Sequence, residues 1–113
     1  MEELFQNALG ISYPWYIESI EFNTEQSRLD IFLNFQRGAT FKDNSEDDPS
    51  GKEYPAYDTF QKEWRHMNFF QHECYLHARV PRIERDDGKF RLIPPPWSGK
   101  LKGLTLLFEA FLI

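Results

Sequence analysis

The sequence predicts a small α+β domain, in which an antiparallel sheet of two hairpins is flanked by a short N-terminal helix and a C-terminal helix. Three observations predict this fold class. The ends of the chain carry a helical apolar stripe or an unbroken apolar run, segments between them alternate apolar and polar residues, and short polar links join the alternating segments. Elements in this order form an antiparallel α+β domain.

The N-terminal helix is expected over residues 1–9. Glu2 and Glu3 lie near its favourable N-terminal end, and Gly10 follows as a C-terminal stop. The apolar residues at helical spacing are Leu4, Phe5, Ala8 and Leu9.

The first hairpin is expected from residues 16–22 and 29–35, which both alternate and are joined by the polar link 23–27. Residues 42–53 follow as a flexible acidic loop, because residues 43–51 contain no apolar side chain to bury.

The second hairpin is expected from residues 74–81 and 89–93, with Asp86-Asp87-Gly88 as its turn. Residues 64–68 are a further extended candidate. Pro81 should end its strand or lie at a sheet edge, because proline has no N–H to donate to a ladder.

The C-terminal helix is expected over residues 104–113, where nearly every position is apolar. One small domain is not expected to cover such a helix on all sides. Leu107, Phe108 and Phe111 are therefore predicted to contact a second copy or a downstream polypeptide, so a homodimer or further domains are the expected protein partners.

Length and composition indicate one folded domain over residues 1–113. The hydrophobic fraction of 41% is high enough for a packed core. No apolar run is long enough to span a bilayer, and the acidic start does not resemble a secretion signal. The single cysteine excludes an internal disulfide and fits a cytoplasmic location.

The net charge of −5 is divided unevenly. Four basic and 12 acidic residues precede position 60, a balance of −8, whereas nine and six follow, a balance of +3. An anionic partner such as DNA would therefore meet the second half, although two ordinary solvated surfaces would show the same asymmetry. The candidate phosphate-binding residues are Arg65, Arg79, Arg82, Arg85, Lys89 and Arg91.

Neighbouring acidic residues offer a second interpretation of this basic stripe. Glu73, Glu84, Asp86 and Asp87 interrupt it and could pair with it to leave a neutral, structural surface. The three tryptophans, Trp15, Trp64 and Trp97, could stack on unpaired bases, although large aromatic residues more often form the core of a small domain.

Several segments resemble the N-terminal, zinc-finger-type domain of the ISL-three family of bacterial insertion-sequence transposases. The similarity is strongest in Trp64-Arg65-His66-Met67-Asn68-Phe69-Phe70 and in Tyr75-Leu76-His77-Ala78-Arg79-Val80-Pro81-Arg82. It also covers Leu106-Leu107-Phe108-Glu109-Ala110, Leu9-Gly10, Pro14-Trp15-Tyr16 and Leu29-Asp30-Ile31. The resemblance implies a domain that helps bind the terminal repeats of a mobile element.

The zinc-binding cysteine pairs of that family have no counterpart in this chain. Residues 41–46 stand where the first pair would fall, with Tyr54 ahead of Asp58-Thr59, and Arg85-Asp86-Asp87-Gly88 stands where the second would fall. The family's catalytic carboxylates belong to a later domain. Neither zinc binding nor transposase activity is therefore expected, and no cofactor is predicted.

No other group of residues predicts a metal site or an enzyme. His72 and Cys74 share one face of a strand while His77 points away, which makes a poor zinc site. No nucleophile, base and orienting group can be assembled. The expected function is DNA recognition without catalysis, and the alternative is a protein-interaction or dimerisation module without nucleic-acid contact.

Overall fold

The computed structural model describes residues 6–7, 10–43 and 51–98. Most residues of this part of the chain are in β-strands, and Gln6 and Asn7 are its only helical residues. The strands are β1 (Trp15–Asn23), β2 (Arg28–Phe35), β3 (Thr40–Lys42), β4 (Glu53–Pro55), β5 (Asp58–Phe69), β6 (His72–Glu84) and β7 (Phe90–Leu92).

The predicted α+β class is wrong, because the described residues form a sheet-rich fold. The C-terminal helix expected over residues 104–113 lies outside the described residues, as does most of the expected N-terminal helix. Between the two ends, more residues are in strands than the alternation of apolar and polar residues predicts, because the long strands also include segments with few apolar residues. None of the described helices is long and apolar enough to cross a membrane.

The main sheet has the strand order β1-β2-β6-β5, and β7 pairs with the end of β6. The predicted first hairpin is confirmed, because β1 and β2 pair from Trp15 opposite Phe35 to Asn23 opposite Arg28. The predicted pairing around the Asp86-Asp87-Gly88 turn is also present, between β6 and β7. Gly88 adopts a positive φ of 83° there, a conformation that glycine adopts without steric cost.

The two parts of the sheet join through a parallel pair of strands. β2 runs parallel to β6, with Leu29 opposite Cys74, Ile31 opposite Leu76 and Leu33 opposite Ala78. The backbone N–H of Glu73 donates to the Ser27 carbonyl and extends this contact. An entirely antiparallel sheet was expected, so this pairing is a correction: local alternation identifies strands but not their distant partners.

The longest antiparallel pair joins β5 to β6, from Asp58 opposite Arg82 to Phe69 opposite His72. The sequence predicts only residues 64–68 of β5 as extended. Its first half escapes the pattern because Phe60 is the only large apolar residue before Trp64, and Phe60 is exposed.

Pro81 lies within β6 and does not end it, contrary to the expectation. Its carbonyl accepts from Ile93 N–H, so the backbone polar groups of Pro81 face the β7 edge. The β2 pairing stops at Ala78 and the β7 pairing starts at Arg82. The missing proline N–H therefore falls in a gap between two ladders, where no partner loses a hydrogen bond.

β3 and β4 form a separate two-stranded sheet, with Phe41 opposite Tyr54. The acidic loop predicted over residues 42–53 is therefore too long at both ends, since Lys42 and Glu53 are paired strand residues. Asp43, which the sequence assigns to a solvated run, is buried.

The main hydrophobic core covers one face of the sheet. Trp97 is buried there with its ring 4.9 Å from Trp15 and 5.5 Å from Trp64, both edge-on. All three tryptophans thus contribute to the core and are not base-stacking platforms. The other core residues are Ile17, Leu29, Ile31, Leu33, Cys74, Leu76, Ala78 and Val80.

A second, smaller core lies on the opposite face, under the β3–β4 hairpin. Ile83 is fully buried there with Ala39, Phe41 and Tyr54. Val80 and Ile83 are three residues apart on β6 and so point to opposite faces. Each face of the sheet is therefore covered along one part of β6 and open along another, which leaves two separate surfaces for binding.

Candidate functional site

The predicted basic stripe does not lie on one face. Arg79 and Arg82 are three residues apart on β6 and point to opposite sides of the sheet. Arg65 shares the face of Arg79, because it is paired with Tyr75, which alternates in step with Arg79. The basic residues are close in the sequence, but strand alternation places them on both faces of the sheet, so they do not form one surface.

Several of these arginines are already engaged within the domain. Arg82 donates to both carboxylate oxygens of Asp58. Arg85 is buried, and its guanidinium pairs with Asp43 at 3.2 Å and with Asp87 at 2.8 Å. Arg85 is therefore a structural residue that phosphate cannot reach.

The remaining predicted binding residues are dispersed. Lys89 is exposed beside the Asp86-Asp87-Gly88 turn, whereas half-buried Arg91 has its Nε 3.8 Å from Asp43 Oδ2. Arg65 donates to the carbonyls of His66 and Cys74. Leu107, Phe108 and Phe111, the predicted interaction residues, lie outside the described residues.

An aromatic surface surrounds Arg82 on the open part of the core face. We define it by Tyr57, Phe60, Phe90 and Leu92, whose exposed fractions lie between 40% and 59%. The Arg82 guanidinium carbon lies 4.7 Å from the ring centroid of Phe90, 5.1 Å from that of Phe60 and 5.8 Å from that of Tyr57. Tyr57 and Phe90 contact each other edge to face at 5.1 Å.

This aromatic surface arises from strand register. Asp58 and Leu92 are both cross-strand partners of Arg82, and Phe60 is paired with buried Val80 one step along the sheet. The aromatic surface therefore lies on the same face of the sheet as the main core, next to the part of that face that Trp97 covers. Arginine and aromatic residues held rigidly in one patch are typical of the residues that dominate protein interfaces.

We call the face opposite the main core, which carries Arg65, Tyr75 and Arg79, the polar face. It also carries a cluster of potential metal ligands. Asp30 on β2, His77 on β6 and Glu63 on β5 each offer one ligand atom, all within 4.8 Å of one another. His77 Nε2 lies 2.6 Å from Asp30 Oδ1 and 3.8 Å from Glu63 Oε1. Arg28 bridges the two carboxylates, with Nε 2.9 Å from Asp30 Oδ2 and Nη2 3.2 Å from Glu63 Oε1.

The environment of this constellation orients the His77 ring and lowers the pKa of Asp30. Phe32 stacks on the His77 ring at 4.6 Å and 15°, which holds the imidazole in place. Burial alone would raise the pKa of Asp30, but hydrogen bonds from Arg28 and His77 outweigh it and lower that pKa below its ordinary value. Asp30 is therefore a carboxylate at neutral pH.

A groove extends along the polar face beside these residues. A cavity of about 560 Å³ is lined by Tyr16, Arg37, Thr59 and Arg79, among others. A smaller cavity of about 130 Å³ shares Asn34 and Arg79 with it and reaches His77. Arg79 Nη2 donates to Asn34 Oδ1 at 3.0 Å, which fixes the guanidinium between the two cavities.

The parity argument against a zinc site at His72, Cys74 and His77 is confirmed. Cys74 is buried in the main core, and His77 lies on the opposite face. Burial is the main cause that raises the pKa of the Cys74 thiol to about 12, although Arg65 lowers it slightly. Cys74 is therefore a protonated core residue.

Sequence reasoning missed both constellations. Asp30, Glu63 and His77 are far apart in the chain, and only the β2–β6–β5 order brings them together. The aromatic surface is likewise assembled from β5, β6, β7 and the link before β5. A weak signal was available for two residues of the polar cluster, because Asp30 and His77 each lie between buried neighbours on their strands, whereas Glu63 follows exposed Lys62.

Comparison with protein-family models, with curated proteins and with solved structures found no match to this chain.

Proposed function

We propose that this chain is a non-catalytic interaction domain that associates with a second copy of itself through the aromatic surface. The observation that carries the proposal is the contiguous, exposed set of Tyr57, Phe60, Phe90 and Leu92 around Arg82. Removing these side chains from water provides a driving force for association, and Phe60 and Phe90, which are held on strands, lose little freedom when they bind.

The chemistry of the aromatic surface favours a polypeptide over DNA. Asp58 occupies two N–H donors of Arg82 and compensates its charge, so this guanidinium attracts phosphate less strongly than an unpaired one would. Exposed Glu84 is two residues from Arg82 and on the same face of β6. A phosphate backbone would meet these two carboxylates, whereas an apolar protein surface would meet the rings.

A second copy is the occupant that fits this chemistry. The aromatic surface contains one cation and several rings, with the carboxylates of Asp58 and Glu84 beside them, so it carries both the rings and the cation that such rings bind. A two-fold interface joins the same patch on both partners and needs such self-complementarity. Arg82 of one copy can then face rings of the other while the Asp58 contacts are retained.

Sedimentation velocity of the full chain over a wide concentration range tests the proposal. We expect a concentration-dependent dimer that is weakened at least about tenfold by Phe90→Ser or Phe60→Ser, because central aromatic residues dominate interface energies. Phe70→Ser is the matched control, since Phe70 is a more exposed ring outside the aromatic surface. A wild-type monomer at every concentration, or an equal effect of Phe70→Ser, contradicts the proposal.

DNA recognition, with the element ends of an ISL-three transposase as its target, is the second candidate. It is supported by Arg37 and Arg79, which line the same groove on the polar face, and by Arg65 on that face. If the domain recognises DNA, it acts in the cytoplasm together with a catalytic domain that another polypeptide segment provides. Tyr57 and Asp58 also line this groove, so the aromatic surface and the groove meet at the start of β5.

A further inference from the structure

Three neighbouring strands each place one metal-ligating side chain on the polar face of the sheet. His77 is on central β6, Glu63 is its direct cross-strand partner on β5, and Asp30 is on β2 at the other side. No loop contributes to the cluster, so the sheet hydrogen bonds fix its spacing. A site on strands is preorganised, because its ligands need little reordering to bind.

We propose that Asp30, Glu63 and His77 form a binding site for a divalent transition-metal ion of the zinc class. One imidazole and two carboxylates are a donor set that Zn²⁺ accepts, and a fourth position would be left for water. The site is unrelated to the positions where the resembled family has cysteines, and it is separate from the aromatic surface.

The distances agree with this ligand set. Zinc bonds of about 2.0–2.2 Å in a tetrahedral arrangement place neighbouring ligand atoms roughly 3.3 Å apart. The His77 Nε2 to Asp30 Oδ1 distance of 2.6 Å and the Nε2 to Glu63 Oε1 distance of 3.8 Å lie on either side of that value. Small side-chain rotations are therefore enough to place all three atoms around one ion.

Arg28 shows that this cluster attracts a cation. Its guanidinium bridges Asp30 and Glu63, and it also lies 3.9 Å from the ring centroid of Tyr75. An incoming ion has to displace it from the carboxylates. Arg28 is partly exposed, so the ion pairs are solvent-screened, and the guanidinium can keep its contact with the Tyr75 ring when an ion displaces it from the carboxylates.

This competition distinguishes a metal site from an ordinary ion-pair network. In a structural network Arg28 is a required partner, so replacing it weakens the cluster. In a metal site Arg28 is a competitor, and replacing it with neutral glutamine frees two carboxylates for the ion. The direction of the effect of Arg28→Gln on metal affinity therefore tests the proposal itself.

The experiment is a calorimetric titration of the full chain with ZnCl₂ in a non-chelating buffer, with ¹⁵N NMR of the histidine side chains as a second readout. We expect one ion per chain and a shift of the Nε2 resonance of His77. His77→Gln and Glu63→Gln should each weaken binding at least about tenfold, since each removes a ligand. Arg28→Gln should strengthen binding severalfold.

His72→Gln and Glu73→Gln are the controls, because they remove an imidazole and a carboxylate that are on β6 but outside the cluster. Circular dichroism of each variant establishes that it is folded, and Arg28→Lys provides a second, conservative change at that position. Three results overturn the proposal: no one-to-one binding by the wild type, equal binding by the His77→Gln variant, or weaker binding by folded Arg28→Gln.

Discussion

Arg85 and Asp43 form an ion pair that is almost completely enclosed, with 3.2 Å between Arg85 Nη1 and Asp43 Oδ2 and side-chain exposures of only 5% and 7%. The pair joins the residue after β6 to the residue after β3, and so fixes the small hairpin against the main sheet. Removing water from two charges is costly, and their contact offsets this cost only while both are present.

We therefore predict that Arg85→Met destabilises the domain by about 3 kcal/mol, because Asp43 is left buried with a weaker partner in Arg91. The double variant Asp43→Leu with Arg85→Met should lose less stability than Arg85→Met alone, since no buried charge remains. Urea unfolding measures both, and a double variant that is less stable than either single variant contradicts this account.

A second prediction compares two leucines on strands of the same sheet. Leu76 is fully buried in the main core, whereas Leu92 is 44% exposed on the aromatic surface. Leu76→Ala should cost about 2–5 kcal/mol of unfolding free energy, since it removes buried methyl groups and leaves a cavity. Leu92→Ala should cost less than about 1 kcal/mol by the same measurement. Equal losses would show that the core is misplaced.

A third prediction concerns acid stability. Because the folded-state pKa of Asp30 is lowered, its stabilising contribution is complete above the ordinary carboxyl value and is lost as the pH falls below about 4 through the folded value. Asp30→Asn should therefore flatten the decline in unfolding free energy between about pH 4 and pH 2. Glu84→Gln is an exposed control. Superimposable profiles for wild type and Asp30→Asn would rule out this linkage.

A fourth prediction uses Cys74 as a reporter of unfolding. Its thiol is buried and its pKa is raised to about 12, so little reactive thiolate forms in the native protein at pH 8. Reaction with a disulfide reagent should be slow in buffer and fast in denaturant. A native rate close to that of a free thiol would mean that β6 is accessible in the folded state.

A fifth prediction tests DNA recognition on the polar face. Alanine at Arg65 and Arg79 should weaken binding to a labelled duplex and reduce the slope of log affinity against log salt by about two, one for each lost phosphate contact. Arg82→Ala should have little effect, because Arg82 faces the other side and is paired with Asp58. Fluorescence anisotropy across salt concentrations decides it, and similar losses in both variants would contradict the assignment to this face.

Local patterns in the sequence predicted the local pairs of the sheet. The alternation of residues 16–22 and 29–35 has its counterpart in β1 and β2, and the Asp86-Asp87-Gly88 turn lies between β6 and β7. Both depend on neighbours within a few residues, which turn chemistry and side-chain period specify.

The failures of prediction concern partners that are far apart in the chain. Pro81 was expected to interrupt a strand, but the gap between two ladders in the folded sheet removes the conflict. The arginine stripe was treated as one surface, although β6 alternation separates Arg79 from Arg82. The metal-ligating cluster depends on the parallel β2–β6 pair, which no local pattern encodes.

That parallel pair also has a kinetic consequence. The β1–β2 and β5–β6 hairpins can each form by closing a short turn, but the contact between β2 and β6 also requires closure of the link of residues 36–57 between the hairpins. Closing a long loop is entropically unfavourable and slows folding when many native contacts depend on it. We therefore expect the rate-limiting step to be the docking of the two hairpins where Ile31 pairs with Leu76, in which case truncating either side chain slows refolding more than it accelerates unfolding.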